Sequence, residues 1–222
     1  MTRLRSENRK IGVTMAETCK IYSDELDVVS RLSELGLTIS KLREVLRHIA
    51  VTANSHTEDH PSWGPGITTA SEAVFSLRGV LRDDGWTREE EKGFALTVHP
   101  ENKIAINIAK GDEGTGDPDS DVTTVSDKGI CTVLAITENQ LCLKLSLPDI
   151  KEPHKRATWY LLYCRKRGGI FGELSLPVGM SETKHISLWR ERIILPEVRE
   201  DQEPELTAGF DDGGYEIQIK RK

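Results

Sequence analysis

Aromatic residues are scarce: four Phe, four Trp and four Tyr make up 5% of 222 residues. So few rings argue against a long series of stacking platforms along a nucleic acid strand. Cysteine is equally sparse, and the four present (Cys19, Cys131, Cys142, Cys164) are far apart. None has the close spacing of a zinc knuckle, which leaves reduced, mostly buried thiols as the expectation. Long apolar runs are missing too. No window approaches the length of a bilayer span, and the basic opening MTRLRSENRKIGV lacks the apolar stretch of a secretory signal. A cytoplasmic protein with no membrane association is expected. Nor is there an excess of positive charge: the net charge is -6 and the pI about 5.6, which restricts any nucleic acid contact to a local patch.

What is present describes a polar globular chain. Hydrophobic residues are 37% and charged residues 30%, enough to fill a core at this length. The charge is unevenly distributed. Residues 1–10 carry Arg3, Arg5, Arg9 and Lys10 against Glu7, and the chain closes on Lys220, Arg221 and Lys222. Between them, 111–127 holds six acids and no Lys or Arg, whereas 151–167 holds six Lys or Arg and the single acid Glu152. Such runs usually form solvated surface, and they also mark where a charged partner would dock.

The first part of the chain has helical periodicity. SDELDVVSRLSELG offers Ser23 as an N-cap, a stripe of Leu26, Val29 and Leu32, and Gly36 as a stop. LTISKLREVLRHIAVTANS places Leu42, Val45, Leu46, Ile49 and Ala53 on one face and Lys41, Arg43, Arg47 and His48 on the other. Together these predict a helical hairpin over 24–54, a unit that either packs as an amphipathic pair or reads DNA with its second helix. After the turn-rich HTEDHPSWGPG, a third helix is expected from a capping box at Thr69 and Glu72, with Ala73, Val74, Leu77 and Leu81 inward and Gly85 beyond its end. His56 and His60 have ligand-like spacing, but Pro61 breaks the helix that spacing needs.

The period then shortens from about four residues to two. FALTVHPENKIAINIA predicts a β-hairpin with Phe94, Leu96 and Val98 matched to Ile104, Ile106 and Ile108. KGICTVLAITENQ has helical spacing together with β-branched residues. LCLKLSL, ATWYLLYC, IFGELSL and YEIQIK alternate as strands, the middle two joined through RKRGG. HISLWRERIILP is strand or bent linker, and EVREDQEPELTAGFDDGG an acidic connection. Early helices and late strands without regular alternation predict an α+β fold: N-terminal helices followed by a mainly antiparallel β-sheet with one or two packed helices. The mainly helical region is 1–90 and the sheet region 91–222, within one domain or two.

The segment AINIAKGDEGTGDPDSDV most invites a chemical reading. A phosphate cradle needs glycine amides, a helix start and a lysine; here Asp117 and Pro118 stand where Lys and Ser/Thr belong, and Asp112 and Glu113 repel phosphate. Gly111, Gly114 and Gly116 lack dinucleotide-binding spacing. Asp117, Asp119 and Asp121 begin like a calcium-binding EF-hand loop, but Val122 and Lys128 replace its glycine and closing glutamate. Asp84 with Glu101 and Lys103 matches a nuclease triad in letters only, because Glu101 falls in the predicted hairpin turn. No serine sits in a nucleophile elbow, and no cysteine has a local catalytic partner. No catalytic residue, metal ligand or cofactor is assigned.

The landmarks Gly85-Trp86, AINIAKGDEGTG, GELSLP, WRERIILP and the closing IQIKRK resemble, in the same order, a group of bacterial hypothetical proteins of similar length. The resemblance spans most of the chain from about residue 30. It implies a bacterial cytoplasmic protein encoded with mobile-element or phage-defence genes, and brings no catalytic or binding residues with it.

Three readings compete. In the first, a non-enzymatic accessory protein binds a protein partner, with Asp112, Glu113, Asp117, Asp119 and Asp121 as contacts; self-association is compatible with it. In the second, nucleic acid is bound through the hairpin 24–54 and the basic segments, with Lys41, Arg43, Arg47, Arg165, Lys166 and Arg167 as contacts. The third is a metal-dependent nuclease.

Overall fold

The computed structural model describes residues 19–144, 156–166 and 168–199, with side chains through Leu141 in the first span. The basic segment 1–10, residues 151–155 of the second basic stretch, Arg167, most of the acidic connection and the expected strand over 215–220 lie outside the described residues.

Local signals set the helix ends. Helix α1 (Glu25–Glu34) is capped by Asp24 rather than Ser23: the Asp24 carboxylate accepts the Leu26 N–H at 3.0 Å. Its buried face carries Val28 and Leu32, while Leu26 and Val29 are exposed, so the inward stripe is rotated from the expected one. Gly36, with φ of +71°, closes the helix; Leu37 N–H donates to the Leu32 carbonyl and Gly36 N–H to that of Ser33. Helix α2 (Ile39–Asn54) buries Leu42, Val45, Leu46 and Ile49 as the periodicity predicts. Helix α3 (Gly64–Arg82) starts five residues before the expected capping box. Pro65 in the first turn pre-sets the helical φ there, and Thr69 is a buried interior residue.

The strands are β1 (Lys20–Tyr22), β2 (Thr87–Glu91), β3 (Phe94–Val98), β4 (Ile104–Lys110), β5 (Ala157–Lys166), β6 (Gly169–Met180), β7 (Ile186–Ile194) and β8 (Val198–Arg199). They form one eight-stranded sheet in the order β1-β7-β6-β5-β4-β3-β2, with β8 paired to β6. The sheet is mixed but mainly antiparallel, only β1–β7 and β4–β5 running parallel. The fold is therefore α+β with helices at the N-terminus. Two strands, β1 and β2, arise within the region expected to be helical. The TREEE of β2 has no apolar alternation to announce it; it is an exposed, charge-rich edge, a composition that discourages edge pairing.

The β3–β4 hairpin forms where predicted, with a different register. Val98 pairs with Ala105 and Thr97 with Ile106. Phe94, Leu96 and Val98 thus share a face with Ala105, while Ile104 and Ile106 enter the core beneath the helices. A shift of one position sends a whole strand face to the other side. HISLWRERIILP is a strand, β7. The expected strand LCLKLSL is corrected: its first four residues end helix α4 (Ile130–Lys144), because a nucleated helix propagates cheaply through Leu and Lys.

Strand β5 explains the layering. Trp159 and Leu161 join Leu32, Leu42, Leu46, Leu77 and Leu81 in the core under α1–α3. Tyr160 and Leu162 face the other way, toward Val122, Ile136 and Trp189. A strand buried on both faces reads as a continuous apolar run. The parallel pairing of β4 with β5 requires the chain to cross back over the sheet, and residues 111–129 with α4 make that crossing. Among the described residues no helix is long and apolar enough to cross a membrane.

Candidate functional site

The acid-glycine segment is a packed loop built on a buried ion pair. Glu173 on β6 and Arg192 on β7 are essentially inaccessible and paired at 2.7 and 3.0 Å. Arg192 also donates to the Ser120 and Asp117 carbonyls, and Glu173 accepts from Gly116 N–H and the Ser175 hydroxyl. Burial works to lower the Arg192 pKa, but the Glu173 carboxylate more than offsets it and leaves it raised. Asp112 accepts from Gly114 N–H and from both the N–H and hydroxyl of Thr123. Gly114 is required by close approach, since a Cβ there would lie 2.0 Å from the Asp121 carbonyl oxygen. The Val122 carbonyl accepts the Trp189 indole N–H at 2.8 Å.

This geometry divides the five candidate acids. Asp112 serves the loop itself, as does Asp117, whose carboxylate accepts the Ser120 hydroxyl at 2.6 Å and the Asp119 N–H at 3.0 Å. The Ser120 hydroxyl, and then that N–H, hold the Asp117 pKa below its ordinary value. Glu113, Asp119 and Asp121 are exposed and available to a partner. No group of three or more His, Cys, Asp or Glu converges on a point among the described residues.

The nucleic acid candidates are scattered. Lys41 is ion-paired with Asp84 at the start of α2, while Arg165 donates to Asn54 at its other end. Those ends are about 20 Å apart along the helix. Arg43 and Arg47 are half-buried, the Arg43 Nε without a hydrogen-bond acceptor, and Lys166 lies over the Phe171 ring at 4.7 Å. Arg167 is outside the described residues. Helix α2 packs chiefly against α3 and the sheet, so the hairpin 24–54 does not stand free as a two-helix reader. Of the nuclease letters, Asp84 is taken by Lys41, and Glu101 pairs with its neighbour Lys103 at 2.5 Å.

Helix α4 supplies a surface that periodicity alone did not reveal. Its inward side is partly polar. Buried Thr132 is bonded to the Tyr160 hydroxyl at 3.1 Å, and buried Asn139 is held by three bonds of 2.8–2.9 Å, to the N–H and carbonyl of Thr158 and the carbonyl of Pro177. Its outward side is apolar: Ile130 is 63% exposed, Leu134 57%, Val133 40% and Leu141 39%. These positions recur at helical spacing and form one stripe. Asp127 and Glu138 are exposed beside it, in the same layer as Glu113, Asp119 and Asp121. The signal in the sequence was a helix whose apolar residues are not confined to one side, which in a thin outer layer leaves some of them unburied.

Comparison with protein-family models, with curated proteins and with solved structures gives no match.

Proposed function

We propose that the protein is a non-enzymatic accessory protein that binds another protein through the outer face of α4. Its setting, as the sequence resemblance implies, is a bacterial mobile-element or phage-defence system. The inverted polarity of α4 carries this reading: a helix that spends hydrogen-bonding side chains inward and leaves Ile130, Val133, Leu134 and Leu141 outward gains by covering that stripe. The exposed acids Glu113, Asp119, Asp121, Asp127 and Glu138 in the same layer select the partner's chemistry, an apolar ridge flanked by lysine or arginine.

The test compares wild type with Leu134→Asp in affinity capture from a nuclease-treated host extract, alongside analytical ultracentrifugation of each protein alone. Wild type retains a specific protein that Leu134→Asp loses, with affinity reduced by roughly thirtyfold or more for an anchoring leucine. An identical captured set for both proteins overturns the reading. A concentration-dependent doubling of mass, abolished by Leu134→Asp, assigns the face to a second copy instead.

A further inference from the structure

At the β2 edge of the sheet, α3 and the β2–β3 hairpin enclose a groove of about 560 Å³. Helix α3 lends it Ser71, Phe75, Arg78 and Arg82, spaced along one helix face. From β2 come Arg88 and Glu90, alternate residues on one side of the strand, paired across to Thr97 and Ala95. Three arginines thus meet one carboxylate, a local positive excess in a chain of net charge -6.

Of these arginines the fold pairs only Arg78 among the described residues, in a loose contact with Glu90. Arg78 Nη2 lies 3.6 Å from Glu90, beyond hydrogen-bonding distance, and its Nε and Nη2 are buried with no acceptor among the described residues. Arg82 and Arg88 are exposed, and neither has an ion-pair partner among the described residues. Those two nitrogens are covered, but the Arg78 side chain keeps 21% exposure and lines the groove, so its charge acts on an anion bound there. Phe75 is 63% exposed beside them, an aromatic surface of the kind that stacks on a base. A second groove of about 500 Å³ shares Ser71, Val74 and Ala95 with the first and continues past Lys92 and Lys128. Lys92, paired with Glu91, and Lys128, beside Asp127, extend the basic lining, an arrangement that suits a ligand with repeated or extended phosphates.

We infer that this groove binds nucleoside phosphates, with phosphate oxygens on Arg78, Arg82 and Arg88 and a base against Phe75, as free nucleotide or as units of a single strand. The second groove reaches Asp127 and Ile130 at the start of α4, but the arginine groove shares no residue with the α4 face and uses none of the basic residues that the sequence suggested as nucleic acid contacts. Its volume falls in the range of small-ligand sites, and Ser71 in its wall adds a neutral donor to the charged ones.

The test uses the full chain. Binding of a fluorescent twelve-nucleotide thymidine strand is followed by anisotropy, and binding of ATP and of inorganic pyrophosphate by calorimetry. Wild type is compared with Arg82→Glu/Arg88→Glu and with Phe75→Ala, exposed positions at which each variant keeps the wild-type unfolding midpoint. The double variant weakens binding at least tenfold and lowers the salt slope of strand binding by about two. Phe75→Ala weakens the strand and ATP while leaving pyrophosphate unchanged. Tighter binding of the strand than of ATP identifies nucleic acid as the source, and binding of ATP alone identifies a free nucleotide. The inference is overturned if neither the strand nor ATP binds below about 1 mM, if the double variant binds as wild type does, or if polyglutamate displaces the ligand at equal charge concentration.

Discussion

Glu173 is a carboxylate sealed from water, so its oxygens depend on Arg192, Ser175 and Gly116 for hydrogen bonds. Removing it leaves the Arg192 guanidinium buried and unbalanced, a loss of roughly 3–5 kcal/mol. Glu173→Ala is therefore expected to lower the denaturant midpoint sharply and to accelerate amide exchange across 112–124 before the helices are affected. Equal protection of that loop in the variant contradicts the role of the ion pair. Asp117 gives the same loop a pH dependence. Its folded pKa is depressed, so its contribution to stability is complete above the ordinary value of 3.8 and disappears as pH falls through the lower folded value. Thermal melts of wild type and Asp117→Ala are expected to differ at neutral pH and to converge in acid. A difference that grows in acid has the wrong sign.

At the scale of elements, α4 separates stability from recognition. Asn139→Ala strands the N–H of Thr158 and the carbonyls of Thr158 and Pro177 and is expected to cost roughly 2–3 kcal/mol by denaturant unfolding. Leu134→Asp, on the exposed side, is expected to stay within about 0.5 kcal/mol of wild type. The same helix shows how far the sequence could be read. Helices closed by Gly36, by Ser55 and near Gly85, and the β5–β6 hairpin, were legible because local spacing and turn chemistry set them. Strand β2, the one-position shift of β3 against β4, and the outward turn of Ile130 and Leu134 were not, because pairing register and solvent access are tertiary properties. The same limit hid the arginine groove, whose residues come from α3 and β2 and meet only when the helix lies on the sheet edge.

On the scale of the molecule, the sheet keeps two chemistries apart. One face carries the loop and α4, apolar with exposed acids; the edge beside α3 carries three arginines against one carboxylate. The segment that most resembled a ligand-binding motif turns out to be the start of a crossover between parallel strands, its glycines and two of its acids spent on folding. Recognition through α4 is tested by site-specific photo-crosslinking in the native host from position 134 and, as a control, from position 26. Leu26 is 80% exposed, on the layer of α1–α3, so it is more accessible than Leu134 but lies in a different setting. One discrete protein adduct is expected from position 134 and none from position 26. Adducts of the same pattern from both positions, or none from position 134, contradict it.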